Sequence, residues 1–86
     1  MSNKFNFDTA EKMCETILHV ADTMESENER VQQAFIQLHE TFKDQAYEEF
    51  QADFNAADRT MAQIISDLHR LNISLNKYKE KLLENV

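Results

Sequence analysis

The sequence predicts an all-α protein: an antiparallel two-helix hairpin that associates with a second hairpin into a four-helix bundle dimer. Two heptad stripes of apolar residues cover the two halves of the 86-residue chain, and their spacing breaks once, near the middle. The chain contains no glycine and no proline, so nearly all of it can be helical. We therefore expect one domain that spans residues 1–86.

The first helix is predicted from about residue 8 to residue 41. It begins where Asp8, with Glu11 three positions later, has the spacing of a capping box. Its apolar positions alternate steps of four and three, which places them on one face of the helix, and only Asn28 among them is polar. The stripe consists of Ala10, Cys14, Ile17, Ala21, Met24, Asn28, Val31, Phe35, Leu38 and Phe42.

The turn is predicted at residues 42–44. The step from Phe42 to Tyr47 is five residues, which a heptad stripe does not allow, so the chain is expected to reverse there. Asp44 or Thr41 should cap the helix that follows, because short polar side chains accept hydrogen bonds from free N–H groups at a helix start.

The second helix is predicted from about residue 44 to residue 83. In the hairpin its stripe should face the first stripe, and we call this contact between the helices the seam. Large residues then lie opposite small ones or other large ones, as Leu68 opposite Ala21 and Phe54 opposite Phe35. The second stripe consists of Tyr47, Phe50, Phe54, Ala57, Met61, Ile64, Leu68, Leu71, Leu75, Tyr78 and Leu82.

Further apolar residues flank both stripes. A single seam between two helices cannot cover so wide an apolar surface, so we expect a homodimer, or a heterodimer with another helical hairpin. The residues expected to bind the partner are Met13, Leu18, Val20 and Ile65.

Composition and spacing argue against several classes of function. The net charge of −7 argues against nucleic acid as a partner, and no apolar run reaches the roughly 18–20 residues of a membrane span. His19, His39 and His69 lack the spacing of metal ligands, and Cys14 lies on the apolar stripe, where a thiol packs as a small hydrophobic group. We expect no catalytic, cofactor-binding or metal site, no membrane insertion and no enzymatic activity.

The turn carries a more specific pattern. Phe42-x-Asp44-x-Ala46-x-x-x-Phe50 resembles the Trp-x-Gly-x-Ala-x-x-x-Phe turn of the WXG family, the ESAT-like small helical-hairpin proteins of type VII secretion. Phe42 takes the place of the tryptophan, and Asp44 takes that of the glycine. Phe50 takes the place of the aromatic residue one turn into the second helix. Chain length, the central turn and the acidic balance are similar to that family as well.

The resemblance implies a protein of type VII secretion (ESX) that is either an exported substrate or a targeting partner, a chaperone, of a secreted effector. The partner is then a helical hairpin or a helical domain of an effector, with a secretion ATPase as a further partner. The protein would be cytoplasmic before export and secreted without a cleaved signal peptide. Members often carry a Tyr-x-x-x-Asp/Glu export signal, but Leu82 stands four residues after Tyr78, which favours the accompanying role.

The alternative is a coiled-coil adaptor or scaffold protein with no role in secretion, for example one continuous helix in a parallel dimer. The absence of glycine at the turn keeps this alternative open. The two hypotheses differ in shape, because a hairpin bundle is about 50 Å long and a continuous helix is roughly 120 Å long.

Overall fold

The computed structural model describes residues 3–41 and 44–84, and these form two long α-helices. Helix α1 spans Asn3–Thr41 and helix α2 spans Gln45–Glu84. The helices pack against each other as a hairpin that measures 63 × 16 × 15 Å. The all-α hairpin predicted from the two stripes is confirmed, and the described residues do not form one continuous helix.

Helix α1 starts earlier than the sequence pattern predicts. It begins at Asn3, so Asp8 lies within the helix and the capping box predicted there is wrong. The half-buried ring of Phe7 explains the extension, because it lies 5.4 Å from the Lys79 ammonium of α2 and continues the contact between the helices toward the chain start.

Asp44 caps α2, as predicted. The Tyr47 N–H donates a 2.8 Å hydrogen bond to the Asp44 carboxylate, and the Glu48 N–H donates to the Asp44 carbonyl oxygen at 3.1 Å. The carboxylate satisfies one free N–H group and lies at the positive end of the helix dipole. Phe42 and Lys43 lie outside the described residues, so the last residue of the first stripe and most of the predicted turn at residues 42–44 do as well.

The register of the hairpin follows the predicted pairing of the stripes. The rings of Phe35 and Phe54 stack with centroids 4.0 Å apart and planes 2° from parallel. At the other end, the Cys14 thiol lies 3.7 Å from the Asn76 side-chain oxygen, which is the level that the predicted pairing of Ala21 with Leu68 implies one heptad further along. One register therefore holds from the turn to the chain ends.

The rotation of α2 about its own axis differs from the prediction. Alternate members of its stripe face α1, and we call these the inner stripe: Tyr47, Phe54, Met61, Leu68, Leu75 and Leu82. The remaining five, which we call the outer stripe, are exposed: Phe50, Ala57, Ile64, Leu71 and Tyr78. The prediction that the outer stripe lies in the seam is wrong. On α1, Val31 is likewise exposed rather than in the seam.

Polar residues occupy four of the five places in the seam that the outer stripe leaves. The half-buried residues that follow the inner stripe by four positions are Gln51, Asp58, Ile65, Asn72 and Lys79. Asp58 accepts a 2.7 Å hydrogen bond from the Gln32 side-chain amide of α1, so a carboxylate at this position has a partner. The seven-residue repeat identifies the inner and outer stripes as two adjacent apolar rows on α2. It does not specify which flank of the inner stripe faces α1.

Candidate interaction surface

The two sides of the seam differ in chemistry. On one side, which we call the polar side, side chains of α1 and α2 hydrogen-bond across the hairpin. Gln32 binds Asp58 there, and the His69 Nε2 lies 2.9 Å from the Glu25 carboxylate. Polar side chains therefore join the two helices on this side, although the buried Asn72 Oδ1 there has no hydrogen-bond partner among the described residues.

The other side, which we call the apolar side, carries the outer stripe. On α2, a residue four positions after a member of the inner stripe lies on one flank of that stripe, which is the first flank. A residue three positions after a member lies on the opposite, second flank. Asp58 lies on the first flank, so Ile64, three positions after Met61, lies on the second. In an antiparallel pair the same rule places Met13, Val20 and Val31 of α1 on this side too.

The apolar side exposes large hydrophobic side chains along its length. Ile64 is 41% exposed and Leu71 is 46% exposed, and their heptad neighbours are also apolar. Exposed apolar residues elsewhere are isolated, since the heptad neighbours of Leu18 are Glu11 and Glu25. Continuous apolar surface of this kind marks an interaction site more reliably than scattered hydrophobic residues do.

Charge is also divided between the two sides. Over α1 and α2, the helical positions on the apolar side carry four basic and five acidic residues. These are Arg30, Arg70, Lys77 and Lys81 with Glu27, Glu49, Asp53, Asp67 and Glu84. The net charge of −7 therefore lies mainly on the polar side and its outer surface, including Asp8, Glu11, Glu15, Asp22 and Glu29. An apolar side that is close to neutral can approach another protein without strong repulsion.

The four residues predicted to bind a partner occupy three different places. Met13 and Val20 lie exposed on the apolar side, as expected for a binding surface. Leu18 is exposed but lies on the polar side. Ile65 is half-buried in the seam, so its predicted exposure is wrong, and its neighbour Ile64 is exposed instead. The rotation of α2 causes this exchange.

An aromatic cluster fixes the hairpin near the turn. Phe35 of α1 lies within 6.2 Å, measured between ring centroids, of Phe50 and within 4.0 Å of Phe54. Tyr47 is buried beside them, and its hydroxyl lies 2.8 Å from the His39 Nδ1. Burial raises the pKa of the Tyr47 phenol.

Two residues of the turn motif lie near this cluster in the chain. Phe50 belongs both to the cluster and to the exposed outer stripe, and Ala46 is exposed.

The core of the hairpin is thin for a chain of this size. Among the described residues, the buried hydrophobic side chains are Ala10, Cys14, Ile17, Ala21, Tyr47 and Leu82. The chain exposes 6709 Å², whereas a compact monomer of its mass exposes about 5,300 Å². The excess of about 1,400 Å² exceeds the roughly 800 Å² that one partner contributes to a typical stable interface.

A shallow groove interrupts the apolar side. It has a volume of about 280 Å³ and is lined by Asp67, Arg70, Leu71 and Ser74. The groove is open to solvent and contains one large apolar side chain, so its form suits a side chain of another helix better than an enclosed small molecule.

Neither a metal site nor a membrane span is found among the described residues. No group of three or more His, Cys, Asp or Glu side chains in residues 3–41 and 44–84 is placed to hold a metal ion. Neither α1 nor α2, over its described length, is apolar enough to cross a membrane. Comparison of the chain with protein-family models, curated proteins and solved structures gives no match.

The sequence patterns missed the outer stripe as a surface because its residues also fit a seam. A signal was present in the flanking positions, since Asp58 and Asn72 follow the inner stripe by four residues and can bond across a helix pair. These polar positions identify the flank of α2 that faces α1 only once a hydrogen-bond partner such as Gln32 is known to lie opposite.

Proposed function

We propose that this chain is a non-enzymatic, WXG-like protein of type VII secretion that acts by helical-bundle association. It serves as a targeting partner or chaperone of a secreted effector, or is itself the exported substrate. The observation that carries the proposal is the combination of a long helical hairpin, a capped turn in the position of the WXG turn, and a continuous apolar side with no occupant in the hairpin.

The turn supports the resemblance in a specific way. Asp44 stands where the family has glycine, and it caps α2 through its 2.8 Å hydrogen bond from the Tyr47 N–H. The cap gives the second helix a defined start without a glycine. Phe50, in the place of the conserved aromatic residue, packs its ring 6.2 Å from that of Phe35 and ties α2 to α1 next to the turn.

The apolar side supports association as the mode of action. A bundle of four helices covers the outer stripe together with Met13, Val20 and Val31, which the hairpin alone leaves exposed. The gain is substantial, because burying apolar surface contributes roughly 25 cal/mol per Å². The protein is expected to reside in the cytoplasm before export and to leave the cell without cleavage of a signal peptide.

The proposal is tested by export from the cells that produce the protein. Tagged protein is measured in the culture medium of cells with and without the membrane ATPase of a type VII system, alongside a cytoplasmic marker that reports lysis. We expect secretion that depends on the ATPase. Export of an Ile64→Glu variant should fall, and export of an Ile73→Glu variant should not, because Ile73 lies away from the apolar side.

A coiled-coil adaptor with no role in secretion is the second candidate. The observation that favours it is the absence of glycine at the turn, where Asp44 stands. Protein that stays in the cytoplasm whether or not the ATPase is present, while it still binds a helical partner, would favour the adaptor. In either case the hairpin is the unit that associates.

A further inference from the structure

We propose that α2 has a second rotational position against α1, turned by about 50° about its own axis. The half-buried residues that we call the polar flank of α2 are Gln51, Asp58, Ile65, Asn72 and Lys79. In the second position the outer stripe lies in the seam and the polar flank faces solvent, so the hairpin covers its own apolar side. The inference rests on the proposed function only for its role, which is to keep the apolar side covered until a partner binds.

A buried polar atom without a partner disfavours the described position. The Asn72 Oδ1 is buried in the seam, and no described residue donates a hydrogen bond to it. Gln32 meets Asp58, so fourteen residues further along the antiparallel pair Leu18 lies level with Asn72. A leucine side chain has no donor, and a carbonyl oxygen that is buried without a donor lowers stability. In the second position this oxygen faces solvent and accepts hydrogen bonds from water.

The exchange of flanks also moves charged and apolar side chains into environments that suit them. Asp58 and Lys79 are half-buried in the described position and face solvent in the second position. Ile64 and Leu71, which are 41% and 46% exposed, enter the seam. Within the polar flank, Ile65 is the one apolar residue that loses burial.

Helix α1 presents a face that suits both positions. Its buried residues are Ala10, Cys14, Ile17 and Ala21, and the inner stripe that faces them stays in the seam. Residues three and four positions after a member of the inner stripe differ by about 100° in direction, so a turn of about half that angle exchanges the two flanks. The register of the pair and the place of α1 stay as described.

The aromatic cluster brings the outer stripe into contact with α1 near the turn. The Phe35 ring lies 4.0 Å from the ring of Phe54, on the inner stripe, and 6.2 Å from the ring of Phe50, on the outer stripe. Phe35 therefore contacts both stripes. The second position extends this contact along α2 to Ile64 and Leu71.

The hydrogen bond between Gln32 and Asp58 favours the described position. It is 2.7 Å long and is lost when Asp58 turns out of the seam. We expect the second position to be a minor state of the isolated chain, held by about 0.1–10% of the molecules. Packed interfaces change between discrete arrangements rather than continuously, so a variant that removes this bond should shift the population.

The first test shifts the population and measures it by thiol labelling. In a Cys14→Ala background, Ile64→Cys and Ile65→Cys are labelled separately with N-ethylmaleimide, at a concentration where the chain sediments as a monomer. Gln32→Glu places a carboxylate against that of Asp58, and the repulsion favours the second position. It should slow the labelling of Ile64→Cys at least about threefold and accelerate that of Ile65→Cys by a similar factor.

The matched control is Gln33→Glu, which adds the same charge at an exposed position of α1 and should change neither rate. The opposite responses of the two thiols separate rotation from unfolding, because unfolding exposes both. Unchanged rates in Gln32→Glu, or faster labelling of both thiols, overturn the proposal.

The second test reverses the shift. Asn72→Leu removes the unpaired carbonyl oxygen and makes the polar flank more apolar, so it favours the described position. Added to Gln32→Glu, it should return the labelling of Ile64→Cys to within about twofold of the rate without either change. The control is Asn55→Leu, which adds the same side chain at an exposed position and should leave the labelling slow. A double variant with Asn72→Leu that labels as slowly as Gln32→Glu alone contradicts the proposal.

The outcomes separate this inference from the proposed function. Labelling that shows no rotation, in a chain whose export depends on the ATPase, overturns the second position alone. Rotation in a chain that is never exported supports the second position and overturns the role in secretion.

Discussion

The two sides of the hairpin carry similar numbers of residues but use them differently. On the polar side, Gln32 and Asp58 bond to each other across the seam, and His69 lies 2.9 Å from Glu25. On the apolar side, Ile64 and Leu71 of α2 and Val20 and Val31 of α1 lie exposed. The hairpin pairs side chains across its polar side and leaves large hydrophobic ones exposed on its apolar side, so the apolar side is the one to test for a partner.

The largest expected effect separates the inner stripe from the outer stripe in the isolated hairpin. Leu68 is half-buried in the seam and Leu71 is 46% exposed. Leu68→Ala should lower the free energy of unfolding by about 2–3 kcal/mol, because it leaves a cavity between the helices. Leu71→Ala should lower it by less than about 1 kcal/mol.

The measurement is urea unfolding followed by circular dichroism, at a protein concentration low enough to keep the chain monomeric. Equal losses for the two leucines at low concentration would show that α2 does not adopt the rotation described.

A medium effect is expected on the polar side. Asp58→Ala leaves the half-buried Gln32 amide without its partner and should cost about 1–2 kcal/mol. Replacing both residues with leucine should be close to neutral, since an apolar pair leaves no unsatisfied group. A double-mutant cycle on Gln32 and Asp58 measures the coupling, and a value near zero would mean that this bond does not hold the rotation.

A smaller effect on the free energy of unfolding is expected at the start of α2, next to the turn. Asp44→Ala removes the cap of α2 and should cost about 1 kcal/mol, while Asp44→Asn should retain most of the stability. Thermal unfolding of the two variants beside the wild type measures the difference. Indistinguishable melting of all three would exclude the cap as the determinant of where α2 starts.

The smallest effect concerns Tyr47 at high pH. Burial raises the pKa of its phenol, so the folded state holds the proton more tightly than the unfolded state. The contribution to stability is complete below the unfolded pKa of about 10 and is lost as the pH rises above it. Tyr47→Phe should therefore unfold with a shallower alkaline loss of stability, and it also loses the 2.8 Å contact with His39.

Urea unfolding of wild type and Tyr47→Phe at pH 7 and at several values above pH 10 compares the two slopes. Identical alkaline slopes would mean that another group controls stability in that range.

Much of the fold follows from the sequence because it depends on local or repeating features. The end of α1 at Thr41, the cap at Asp44 and the stacking of Phe35 on Phe54 all follow from heptad spacing and from the five-residue step between Phe42 and Tyr47. The early start of α1 at Asn3 does not, since it depends on contact of Phe7 with Lys79 of the distant helix.

The sequence predicted that an apolar binding surface exists, but it assigned only some of the residues of that surface correctly. Unpaired apolar flanks indicated a binding surface, and Met13 and Val20 lie on it. The prediction assigned Ile65 to that surface and Ile64 to the seam, and the structure exchanges them. Adjacent residues on a helix differ by 100° in direction, so a modest rotation of α2 decides which of the two is exposed.

By itself, the sequence determined that the chain makes two helices, where the turn lies and which residues oppose each other along the hairpin. Those properties depend on periodicity and on residues close together in the chain. Which flank of α2 faces α1 is seen only in the tertiary structure. The observed rotation brings Gln32 next to Asp58, and these residues are too far apart in sequence for a seven-residue repeat to specify their contact. The same rotation leaves Ile64 exposed and so creates the apolar side.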